Sequence, residues 1–122
     1  MFPGTEHYEW FENHARTTIE RCRRRANSVP GFSGTPVTIY VPGGDDKYPS
    51  FWVRDAVMEC RSGTVPPDEM ERMLRIILTH QHGPEVKPLA NGLRITPWSV
   101  PDHINLPGIS AQEPGAVFFP GT

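Results

Sequence analysis

Apolar and small side chains recur at Phe11, Ala15, Ile19, Cys22 and Ala26, steps of three and four that predict an amphipathic helix over 8–26. Glu6, Glu9 and Glu12 fall toward its start and arginines toward its end, as the helix dipole favours, and Glu12/Arg16 and Glu20/Arg24 are spaced for i,i+4 pairing. Pro30, Gly31, Gly34 and Pro36 then break the pattern. Val37, Ile39 and Val41 alternate with Thr38 and Tyr40, which predicts a short strand with one buried face, followed by a turn at Gly43-Gly44-Asp45-Asp46. Helical spacing returns over 51–62, where Val53, Ala56, Val57 and Cys60 share a stripe and Gly63 supplies a stop. Val65-Pro66-Pro67-Asp68-Glu69 has the chemistry of a helix start, and Met70, Met73, Leu74, Ile77 and Leu78 give the stripe of a third helix near 67–82, ended by Gly83-Pro84. The short link between the second and third helices predicts an antiparallel helical hairpin. Asn91-Gly92 predicts a β-hairpin near 87–95 with a two-residue turn, and 96–122 reads as a loop-rich tail.

The expected fold class is therefore mainly α, with a short strand and a small β-hairpin. In the tail, Trp98, Ile104, Leu106, Ile109, Val117, Phe118 and Phe119 show no period that would bury them locally, so they call for a partner surface. That points to 1–122 as a single incomplete domain, part of a layered helical assembly. A small complete α+β domain is the competing reading.

Composition bounds the function. With 37% hydrophobic and 21% charged residues the chain is globular in character, and 14 Pro with 11 Gly imply long shaped loops. A formal net charge of −2 gives no nucleic-acid footprint, and the four arginines between Arg21 and Arg25 fan around a helix as a solvated face. The start of the chain has no basic-then-apolar leader, and no apolar run approaches the roughly 20 residues that span a bilayer, so a soluble, cytoplasmic protein without a membrane partner is expected. Cys22 and Cys60 each sit at an apolar helical position, where reduced thiols are the ordinary outcome.

Candidate chemistry concentrates in Tyr48–Asp55. Trp52, Arg54 and Asp55 crowd a helix entrance after a Pro/Gly-rich loop, where a scaffold presents binding groups. An aromatic ring packs on the apolar face of a pyranose, a guanidinium donates as a planar fork, and a carboxylate accepts from neighbouring hydroxyls. The bland reading pairs Arg54 with Asp55 as helix-start ions and sends Phe51 and Trp52 into the core. Asp102-His103 in the proline-rich loop SVPDHIN is a second polar pair able to bind a hydroxyl, with an Asx-type turn as its plain alternative. His80 and His82 are two residues apart at a helix end, which aims their rings apart, so no metal site is expected. No nucleotide motif occurs, Gly31-Phe32-Ser33-Gly34 is one residue short of a nucleophile elbow, and no cofactor is expected.

The order aromatic-Trp-x-Arg-Asp into a helix, after an amphipathic helix and a short strand, resembles the early part of six-hairpin glycosidases, the glucoamylase-like and trehalase-like enzymes. GTVPPDEMERMLRIILTHQ is similar to their next helix, and TPWSVPDHIN with VFFPGT resembles a substrate-side loop. The resemblance implies a partial (α/α)6 toroid, in which Arg54 and Asp55 contact sugar hydroxyls beside the cleaved bond and Trp52 lines the same subsite. Asp102 and His103 join them as substrate-binding candidates. A full toroid has twelve helices, so the general acid and base are expected outside this piece, which would not be active alone. The function so implied is a sugar-binding wall of a glycoside hydrolase with a carbohydrate substrate; the alternative is a non-enzymatic helical interaction module.

Overall fold

The computed structural model describes residues 4–33 and 36–121. Gly34, one of the expected breakers, lies outside the described residues, as do 35, 1–3 and 122. In chain order the elements are α1 (Thr5–Cys22), β1 (Arg23–Ala26), β2 (Val37–Tyr40), a 3-10 turn (Pro42–Gly44), β3 (Phe51–Trp52), α2 (Val53–Cys60), α3 (Pro67–Thr79), β4 (Lys87–Pro88), β5 (Arg94–Ile95), β6 (His103–Ile104) and β7 (Val117–Phe118).

The first helix stops earlier than its period suggests. At Arg23 the backbone turns extended, with φ −71° and ψ 129°, and β1 pairs antiparallel with β2 from Arg23↔Tyr40 to Ala26↔Val37. Cys22 and Ala26 are four residues apart, an even step that keeps them on one face in a strand as well as in a helix, so the apolar pattern did not distinguish the two. The arginines decide it. As a strand, Arg23 reaches Glu69 at 2.8 Å and Arg24 reaches Asp46 at 3.4 Å, where a helix would have fanned both into solvent.

β2 is the centre of the core. Val37 and Ile39 are buried on one face and Tyr40 on the other, and both α2 and α3 pack on this strand. The strand thus has two covered faces where alternation suggested one. Phe51, Ala56, Met73, Ile76, Ile104 and Leu106 complete the interior.

The (α/α)6 toroid expectation is overturned, and with it the resemblance to six-hairpin glycosidases. Among the described residues there are three helices and three small antiparallel sheets, a mixed α/β arrangement and not a mainly α one. A toroid is built from consecutive helical hairpins, whereas α1 is followed by the β1–β2 pair, α2 has 8 residues, and α2 and α3 find their common partner in a strand. The tail differs for the same reason. Ile104 and Leu106 are fully buried, and β6 inserts between β3 and β7 in a three-stranded sheet. Ile104 found its partner in Phe51 of β3, about fifty positions earlier in the chain, and Val117 and Phe118 found theirs in β6, while Trp98 stays 61% exposed.

The Asn91-Gly92 hairpin also differs in detail. The Gly92 N–H donates to the Leu89 carbonyl at 3.1 Å and the Leu89 N–H to the Leu93 carbonyl at 2.9 Å, which makes a three-residue loop with Gly92 at φ 82°. Glycine there supplies the left-handed residue that this loop length requires.

Candidate functional site

The three-stranded sheet positions the site. Its register, Phe51↔Ile104↔Val117 and Trp52↔His103↔Phe118, sends the first set inward and leaves the second set together on the other face. Trp52 stacks on His103 with centroids 4.1 Å apart, and His103 stacks on Phe118 at 4.4 Å, so three nearly parallel rings stand in a row. His103 Nδ1 lies 3.0 Å from Asp102 Oδ2, and with that N–H donating to the carboxylate, a neutral ring keeps its lone pair at Nε2. Asp102 is fixed from both sides: its N–H donates to the Phe118 carbonyl at 2.7 Å, and its own carbonyl accepts from the first N–H of α2, at Val53, at 3.0 Å. That last bond satisfies a donor that a helix start leaves open and ties α2 to β6.

Three recesses surround this ridge. A polar cleft of about 500 Å³ is lined by His103 and Phe118 together with Lys47, Ser50, Asn105 and Gln112. Its lining is held by three hydrogen bonds: the Ser50 hydroxyl donates to Asn105 Oδ1 at 2.7 Å, Asn105 Nδ2 donates to the Gln112 carbonyl at 3.0 Å, and the Ser110 hydroxyl donates to the Pro49 carbonyl. A second groove of about 350 Å³ holds Arg54, Arg61 and Asp102 between apolar walls that include Val57 and Met58. The third, about 230 Å³, is formed by Pro42, Tyr48, Trp52 and Asp55.

Arg54 and Asp55 therefore face different recesses. Consecutive residues on a helix are turned about 100° apart, and here that turn sends Arg54 toward Asp102 and Asp55 toward Trp52 and Tyr48. The structure brings Trp52, Asp102 and His103 into direct contact, and places Arg54 and Asp55 on either side of them. Tyr48 belongs to the expected segment. Phe118, Ser50 and Asn105 fell inside segments that the sequence singled out but were not named as site residues, and Gln112 had no signal, because only the β3–β6–β7 pairing brings them together.

Below the Asp55 groove lies a second carboxyl. Glu59, one helical turn on from Asp55, is pushed up to about 7 by burial and then by the Asp55 charge, with the nearby Cys22 thiol acting in the opposite sense. Glu59 Oε2 and Trp52 Nε1 are both buried without a hydrogen-bond partner among the described residues. Burial, and then Glu59, raise both the Cys22 and Cys60 thiols, so neither has thiolate character. Both cysteines are free. His80 Nδ1 bonds the Ile76 carbonyl at 2.8 Å and His82 Nε2 the Glu85 carbonyl at 2.6 Å, and among the described residues no cluster of three or more His, Cys, Asp or Glu is arranged to hold a metal.

No helix of the described residues is long and apolar enough to cross a membrane. No protein-family model, curated protein or solved structure matches the chain.

Proposed function

We propose that the chain binds carbohydrate along the ridge formed by Trp52, His103 and Phe118, with the Tyr48–Trp52–Asp55 groove as its principal subsite. The observation that carries this reading is the composition of that groove: two aromatic side chains and a carboxylate on one small concave surface. Aromatic faces suit the apolar C–H face of a pyranose, and a carboxylate accepts from adjacent hydroxyls, so the three groups form a complementary set. Trp52 is held in place by its stack on His103, which Asp102 orients in turn. The polar cleft beside His103 and the Arg54–Asp102 groove offer room and donors for further sugar units.

Within this reading the chain supplies binding. The test is calorimetric titration of the purified chain with a panel of neutral and acidic oligosaccharides. At least one should bind, and Trp52→Ala and Asp55→Asn should each weaken that binding at least tenfold with helical content retained. Absence of binding across the panel, or affinity indifferent to both substitutions, would remove the proposal.

A further inference from the structure

α1 carries one apolar stripe whose two ends differ. At its C-terminal end Cys22 is buried and Ile19 packs on the core. Along the same line toward the N-terminus, Tyr8 is 72% and Phe11 66% exposed, while Trp10 lies on the adjoining face, stacked on His14 at 5.0 Å. An apolar line that runs from Tyr8 and Phe11 through Ala15 to Ile19 and Cys22 marks a packing surface and not scattered surface apolarity.

A complementary surface lies elsewhere on the same chain. Between α2 and α3 an apolar recess of about 200 Å³ is lined by Val57, Cys60, Met70, Leu74 and Ile77, and none of its lining residues comes from α1. Its rim continues outward through Leu78, with Val57, Leu74 and Leu78 each about half exposed. The charges match as well. Glu9 and Glu12 flank the α1 stripe, while Arg54 and Arg61 stand three before and four after Val57, on the same side of α2.

We propose that two copies of the chain associate reciprocally, α1 of each lying in the α2–α3 recess of the other. The area is sufficient. Two aromatics of roughly 200 Å² each, about two-thirds exposed, offer about 270 Å² per helix; an equal area on the recess, counted for two dockings, gives about 1,100 Å², just above the roughly 1,000 Å² that a specific interface needs. The acidic flank against the arginine rim sets the direction of α1 in the recess and makes the association sensitive to salt.

Sedimentation velocity on the full chain, from low to high micromolar concentration, tests this. The expected result is a concentration-dependent dimer that is lost in Phe11→Glu and in Leu74→Glu, both at exposed positions, with circular dichroism unchanged. An equimolar mixture of those two variants should regain a dimer, because one copy keeps an intact recess and the other an intact helix. Glu12→Arg should weaken the dimer at low salt, and adding Arg61→Glu should restore it. A chain that stays monomeric throughout, as it would if a different protein covered the stripe, overturns the proposal. So does a dimer indifferent to both variants, or one sensitive to Phe11→Glu alone, which would place α1 against α1.

Discussion

Arg23 Nε donates to Glu69 Oε1 at 2.8 Å, joining β1 to the first turn of α3. The other carboxylate oxygen accepts from the Tyr40 hydroxyl at 3.2 Å, and the Glu69 side chain is only 7% exposed. Burial, and then the charge of Glu69, push the Tyr40 hydroxyl up to about 12, so Tyr40 serves as a neutral donor across the usable pH range. Removing the carboxylate leaves a buried hydroxyl and a guanidinium without their acceptor. Glu69→Ala should therefore cost about 2 kcal/mol of stability, most of it from the buried Tyr40 hydroxyl, since Arg23 is half-exposed and stays solvated. Tyr40→Phe, which removes one donor and keeps the ring, should cost about 1 kcal/mol. Urea unfolding midpoints of the two variants check both the values and their order.

Glu59 gives stability a pH dependence of definite sign. Its folded pKa of about 7 stands above the ordinary 4.5, raised by burial and then by Asp55, so the carboxyl takes up a proton on folding. A group of this kind contributes fully below its unfolded pKa, and the contribution is lost as pH rises through the folded value. Between pH 5 and pH 8 the wild-type chain should lose on the order of 2 kcal/mol from this residue. Glu59→Gln keeps the shape without the charge, so it should flatten that decline and be the more stable protein at pH 8. Equal slopes for the two proteins in urea titrations would show that Glu59 is not the responsible group.

Gly44 joins α1 to the 3-10 turn under a steric constraint that Gly63 lacks. Both have positive φ, 72° and 81°, yet a Cβ at Gly44 would sit 3.1 Å from Arg21 Cβ, while at Gly63 it would meet nothing within 4 Å. Alanine at either position carries the left-handed penalty of about 1 kcal/mol. Gly44→Ala should add a second cost as α1 is pushed from its seat, roughly 1 kcal/mol more. Thermal melts of the two variants side by side isolate that increment.

These constraints show what the residue pattern could and could not convey. The stripe of α3 is a local property, and the helix expected near 67–82 lies at Pro67–Thr79. Glu69 reads as a dipole-favoured acid at a helix start, and nothing near it in the chain announces Arg23 or Tyr40, which are 46 and 29 residues away. The candidate site behaves similarly. Trp52, Asp102 and His103 were legible as chemically loaded residues, but their contact follows from the pairing of β3 with β6, two-residue strands too short to carry an alternation. Phe118 was visible only as an apolar residue in search of a surface. The toroid expectation failed at the same point, since helix order and one short motif say nothing about non-local strand pairing.

The separation of Arg54 from Asp55 yields a prediction opposite to the one their adjacency suggests. Neighbours acting on one pair of hydroxyls would be coupled, and removing either would disable the other. Here Arg54 lines the groove with Asp102 and Asp55 the groove with Tyr48 and Trp52, without a shared recess. Residues without shared partners usually combine additively, to within roughly 0.5 kcal/mol. In a double-mutant cycle on carbohydrate affinity, Arg54→Ala and Asp55→Asn should sum within that margin, and the Asp55 effect should persist with ligands too short to reach the second groove. A coupling well above 1 kcal/mol would mean that one ligand group bridges both residues, returning the pair to a single subsite.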